Sequence, residues 1–248
     1  MNDARPIAII AALIVLLVAG GAWWMTRRTQ APVNDSPRAV TATDAPIVDK
    51  AAEPPVKLPP LDEMDGFLRP LLGALSSRPE LANWLATDDL IRQLAAAIAQ
   101  ASVGGSPARD FKVLAPQTPL TTSGRPAQRT IDPASYRRYN GLVTTVTSMD
   151  ASKVATIYRT IRPRLNEAYR SMGNPDRDVD NAVRNALDIL LDTPIVKGPL
   201  RVAGSGATWA FADPDLESLT PTQKQLLRMG PAHTEAVLAW LRALKNAL

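Results

Sequence analysis

The feature that most constrains this chain is the stretch Ile7–Met25, IAIIAALIVLLVAGGAWWM, whose 19 residues carry no charge. As a helix rising about 1.5 Å per residue it would reach about 28 Å, close to the thickness of a hydrocarbon core. Pro6 suits the first turn of such a helix, where a missing N–H costs nothing. Trp23 and Trp24 fall where an interfacial aromatic belt belongs, and Arg27 and Arg28 follow at headgroup depth. The reading predicts a short flank over 1–6 and a transmembrane helix over 7–25. Ile7, Leu13, Leu16, Leu17, Trp23 and Trp24 are its anchor residues. The competing reading is a secretory signal cleaved after Ala22, with Gly20 and Ala22 as the small residues. Against it, the charged flank is thin, with Arg5 offset by Asp3, and the apolar run is long.

Residues 26–60 read as a tether. Between 31 and 60 there are seven prolines and no apolar periodicity. Such a stretch cannot bury enough surface to fold. As a coil its ends would lie about 30 Å apart, and fully extended roughly 90 Å apart. Residues 61–248 are then the soluble domain. Arg27 and Arg28 outweigh Arg5, which favours a cytoplasmic C-terminal side, but long soluble domains are exported despite such flanks.

Composition excludes several chemistries. There is no cysteine and one histidine, His233. Disulfides, thiol catalysis and cysteine-bound metals are ruled out, and a zinc centre lacks its usual ligands. The net charge is +4. Residues 1–60 hold 6 Lys/Arg and 5 Asp/Glu, and the remainder 22 and 19. This is a mixed surface, so no nucleic-acid partner is expected. No cofactor is expected either.

Apolar spacing and caps predict about seven helices and one small β-hairpin, a mostly α domain. Met64, Leu68, Leu71, Leu72 and Leu75 form one stripe, with a bend at Pro70. Pro79 opens a short helix carrying Leu81, Trp84 and Leu85. Thr87 is the expected cap of the next, whose core face is Leu90, Ile91, Leu94, Ile98 and Ala101. Asp132-Pro133 starts a helix bearing Tyr136, Tyr139, Leu142, Val143 and Val146. Asp150 caps one that runs to Met172 with a kink at Pro163, and Asp178 caps another bearing Val179, Val183, Leu187 and Leu190. Pro221 and Pro231 open the last two, the final one carrying Ala236, Val237, Trp240, Leu241 and Leu244. The hairpin is expected at Leu200–Val202 with Thr208–Phe211. A second pairing, Phe111–Leu114 with Arg129–Ile131, is the alternative use of the proline-rich loop 106–131.

Four segments carry a resemblance: LPPLDEMDGFLRPLL (58–72), IDPASYRRYN (131–140), IYRTIRPRLNEAYRSMG (157–173) and FADPDLESLTPTQKQLLRMGP (211–231). Together they resemble a bacterial family known as domain of unknown function 3014. The resemblance runs from Leu58 to the C-terminus, and the last segment is the most specific. It implies an N-terminal membrane segment, a Pro/Ala-rich spacer and one domain placed in the cell envelope. It implies no activity, ligand or catalytic residue.

Candidate chemistry is sparse. Asp176, Asp178 and Asp180 suggest a calcium loop, but that loop needs Gly at its sixth position and Glu at its twelfth, where Asn181 and Leu187 stand. His233 has no G-x-S-x-G partner, and Ser205 sits in a predicted turn. Glu167, Asp188, Glu217 and Glu235 would serve a glycan hydrolase only if two of them converged. The turn Leu226–Pro231 lacks the second glycine of a phosphate-binding hairpin. Arg137, Arg138, Arg159, Arg162 and Arg164, interleaved with tyrosines, form a possible anion-binding face. The tyrosines share helical faces with Val143, Ile161 and Leu165 and read as core.

The leading expectation is a single-pass inner-membrane protein with a periplasmic domain that binds a protein partner or an envelope polymer, without catalysis. The alternatives are a carboxylate-dependent glycan hydrolase and a binder of anionic ligands through the arginines.

Overall fold

The computed structural model describes residues 57–107, 116, 118–125, 128–173, 178–204 and 209–248. The expected anchor, nearly all of the tether, Phe111–Leu114, Asp176 and Ser205 lie outside the described residues. Among the described residues no helix is long and apolar enough to cross a membrane.

Among the described residues there are nine α-helices: α1 (Met64–Gly73), α2 (Pro79–Leu85), α3 (Leu90–Ser102), α4 (Asn140–Ser148), α5 (Ala151–Ser171), α6 (Val179–Leu191), α7 (Pro214–Ser218), α8 (Pro221–Leu227) and α9 (Pro231–Ala247). The mostly helical expectation holds, with more helices than the seven expected. Helix α7, one turn long, has too few residues to show a periodic stripe.

The domain is organised around α3. Leu90, Ile91, Leu94, Ala95, Ala97, Ile98 and Ala101 are all fully buried, so apolar residues cover most of its circumference. A helix apolar on several sides belongs in the middle of a bundle. Helices α5 and α6 pack on it, α1 covers a further side, and α9 closes the bundle against α4, α5 and α6. The predicted inward faces of α5 and α6 are buried as expected, including Tyr158, Ile161, Leu165, Val183 and Leu187. Pro163 sits inside α5, which continues through it to Ser171. Trp240 of α9 is pinned by a hydrogen bond from its indole N–H to the Met149 carbonyl at 2.6 Å.

The start of α3 corrects one expectation. Thr87 does not cap it; its hydroxyl donates back to the Trp84 carbonyl at 2.8 Å and closes α2. The residue flanking α3 is Asp89, at φ 64. The cap comes from α1, where the Asp65 carboxylate accepts from the Asp89 amide at 2.7 Å and the Leu90 amide at 2.8 Å. One turn on, Arg69 donates to the last carbonyls of α2, Leu85 at 2.8 Å and Thr87 at 3.0 Å. An anion thus meets a helix N-terminus and a cation a C-terminus, as the helix dipole favours.

Among the described residues there are two hairpins where one was expected. β1 (Thr122–Ser123) pairs antiparallel with β2 (Thr130–Ile131), and β3 (Val202–Ala203) with β4 (Ala210–Phe211). The first uses residues 122–123 where Phe111–Leu114 were expected as the partner. With only two residues per strand, alternation leaves no readable signature. A bridge between Thr130 and Arg201 joins the hairpins, supported by bonds from the Ile131 amide to the Leu200 carbonyl and from the Val202 amide to the Arg129 carbonyl, each 2.9 Å. The expected helix from Pro133 is a 3-10 segment, Pro133–Tyr139, before α4 begins.

The apolar interior has two parts. The larger lies among the helices; the smaller joins Ile131, Leu200, Val202, Phe211 and Leu227 beneath the hairpins. Leu226 belongs to the first and its neighbour Leu227 to the second.

Candidate binding site

Where the two interiors meet there is a cavity of about 460 Å³. Three segments wall it: Thr130, Ile131, Pro133 and Tyr136 from the second hairpin strand and 3-10 segment, Lys197–Pro199 from the loop after α6, and Met229–His233 from the α8–α9 turn. The walls are mainly apolar. Lys197 and His233 are the basic side chains of the lining, and no carboxylate is among them.

The turn at Gly230 shapes the cavity. Gly230 has φ 88 and ψ 160, a region that side-chain-bearing residues hardly enter. A Cβ there would lie 2.5 Å from the Tyr136 ring. Glycine therefore lets the ring lie flat on the backbone, and Pro231 can start α9 because its missing N–H is not needed there. The Thr234 hydroxyl then donates to the Leu226 carbonyl at 2.7 Å and lies 2.9 Å from that of Gly230, tying α9 back to α8. His233 Nδ1 lies 2.9 Å from the Met229 carbonyl oxygen. A carbonyl only accepts, so Nδ1 carries a proton and donates; in the neutral ring Nε2 is then the acceptor.

The segment 211–231 wires this turn to the hairpins. Asp213 caps α7 by accepting from the Asp215 amide at 3.0 Å. Glu217 accepts from the Phe211 amide at 2.7 Å and from Lys224 at 2.7 Å, and the lysine bond holds its carboxyl below the usual carboxylate range. Thr220 and Gln223 form a capping box at the start of α8. Gln225 donates to the Tyr139 hydroxyl at 3.1 Å, and Arg228 to the Trp209 carbonyl at 3.0 Å while lying 5.2 Å from the Phe211 ring. These polar residues act as fasteners. In 131–140, Asp132 caps the 3-10 segment through the Ala134 amide at 2.8 Å, and Ser135 Oγ accepts from the Thr121 amide at 3.1 Å.

Four of the five arginines are bonded to different protein groups. Arg138 donates to the Thr118 carbonyl at 3.2 Å and the Tyr139 hydroxyl at 3.1 Å, and Arg137 is exposed. Arg159 donates to the Ala247 carbonyl at 2.9 Å, Arg162 to Asp180 at 2.8 Å, and Arg164 to Glu167 at 2.6 Å and the Leu58 carbonyl at 3.3 Å. Asp180 also accepts from the Tyr158 hydroxyl, and burial pushes that phenol up. Asp178 caps α6 through the Asp180 amide at 3.1 Å. Among the described residues no acidic group is arranged to hold a metal ion.

The four candidate carboxylates are likewise separate. Glu167 pairs with Arg164 at 2.6 Å, Asp188 with Lys245 at 2.7 Å and Glu217 with Lys224 at 2.7 Å, while Glu235 lies exposed on α9. None lines the cavity. Sequence reasoning missed Lys197, Tyr136 and Gly230 as neighbours. The available signals were the Gly-Pro at 230–231 and the lone His233 beside it.

The protein is thus a helical domain built around one central helix, with a cavity backed by two short hairpins. The chain belongs to the family described as Protein of unknown function (DUF3014), whose model matches residues 90–245. Residues 58–72, which also carried the resemblance, lie outside that match. No curated protein and no solved structure matches the chain.

Proposed function

We propose that this protein is a membrane-tethered binding module of the cell envelope, held by a helix over 7–25 and a proline-rich spacer, with its domain on the periplasmic side. The uncharged stretch Ile7–Met25 supports the anchor. The observation that carries the binding reading is the cavity of about 460 Å³. Its size falls within the range of ligand pockets, about 300–1,000 Å³, and its pairing of apolar walls with a few polar groups is typical of them. The partner is a protein or an envelope polymer. The cavity offers no pair of carboxylates for glycan hydrolysis, and the arginines offer an anion no single converging set of donors.

A photo-crosslinking residue with a short aliphatic diazirine side chain, too small to fill the cavity, in place of Ala232 in the full-length chain in intact cells, tests this. Ala232 is exposed and lines the cavity, whereas Lys153 is exposed on α5 away from it. The expected result is a membrane-bound chain that gives a reproducible adduct from position 232 and none from 153. Equal labelling at both, or recovery of the uncleaved chain in the detergent-free soluble fraction, would overturn the reading.

A further inference from the structure

The polar side chains of the cavity lining offer three kinds of group. Lys197 is a cation with three donors; the Nε2 of His233, its ring anchored through Nδ1 to Met229, offers a lone pair in the neutral ring; and Thr130 and Tyr136 offer hydroxyls. Ile131, Pro133, Pro199, Met229 and Pro231 offer apolar wall. No aspartate or glutamate in the lining competes for Lys197. A complementary ligand therefore carries an anionic group, an N–H donor and an apolar group.

One common chemical unit presents all three within a single residue. The last residue of a peptide has a free carboxylate, its own backbone N–H and a side chain. An alkanoate lacks the N–H, a glycan lacks the apolar body, and an internal peptide segment lacks the carboxylate. We infer that the cavity takes a free peptide C-terminus whose last residue is apolar. The side chain lies against Ile131, Met229 and the prolines, the carboxylate pairs with Lys197, and the amide N–H donates to His233 Nε2. This names the ligand of the binding module proposed above and rests on that reading.

The test uses the full-length chain in detergent and short fluorescent peptides ending in Ala-Leu, read by anisotropy. The free-acid peptide should bind saturably. Its C-terminal amide, and the free acid presented to Lys197→Met, should bind at least tenfold more weakly. A peptide N-methylated at its last residue should bind several-fold more weakly. Ala232→Trp and Gly198→Trp should each abolish binding by filling the cavity. A Cβ at Gly198 meets open space, so the second variant keeps the fold if the first disturbs α9. Equal binding of acid and amide, equal competition by hexanoate, undiminished binding in both tryptophan variants, or no saturable binding at all would each overturn the proposal. Crosslinking from position 232 without peptide binding would leave the binding module standing and remove this ligand class.

Discussion

Two residues concentrate the local energetics. At Gly230 the backbone conformation and the Tyr136 ring both exclude a side chain. Gly230→Ala is expected to cost about 2–4 kcal/mol, part from the forced backbone and part from the ring contact. Denaturant unfolding of Gly230→Ala with and without Tyr136→Ala separates the two, because only the contact is relieved in the double variant. Tyr158 is the second. Burial, and then its bond to Asp180, raise its phenol above the ordinary value. The folded state therefore holds that proton more tightly than the unfolded chain does. Its contribution is complete below about pH 10, the ordinary tyrosine value, and is lost as pH rises through the folded value. Tyr158→Phe should lose about 1 kcal/mol at neutral pH and show a shallower alkaline decline in stability. Tyr136 and Tyr139 are raised by burial too, so some decline remains.

At the scale of elements, helices were legible where an apolar stripe repeats over several turns, as in α3, α5, α6 and α9. Caps were legible where they are local: Asp150 and Asp178 each bond an amide two or three residues ahead. The cap of α3 was not, because Asp65 reaches it from another helix and no local pattern encodes a partner 25 positions away. Asp65→Ala is expected to destabilise the domain by about 1–2 kcal/mol, and Asp65→Asn by less, since one amide oxygen can still accept. Thr87→Val, by contrast, should loosen the end of α2 and take from α3 only the long bond that Gln93 donates to the Thr87 hydroxyl at 3.3 Å. Thermal unfolding of the three variants checks the ranking. The strands were half legible: Val202 and Phe211 fell inside the predicted hairpin, while β1 is too short to alternate and is fixed by its neighbours, through Ser135 and the bond from the Asp132 amide to the Thr121 carbonyl at 3.0 Å.

For the molecule as a whole, sequence alone announced a compact helical domain and the burial of Tyr139 and Tyr158, but neither the half-buried place of Tyr136, expected in the core, nor the cavity it lines. Its walls come from three segments, and only tertiary packing brings Tyr136, Lys197 and Gly230 together. The cavity also takes Ile131 from the hairpin interior and Met229 from the helical one, so it lies on the seam between them. Two packed regions joined along a narrow seam can open one at a time. An occupant touching both banks would act as mortar, making the hairpins and the bundle yield together, so that ligation would register first as sharper cooperativity and slower amide exchange in the hairpins rather than as any change of shape.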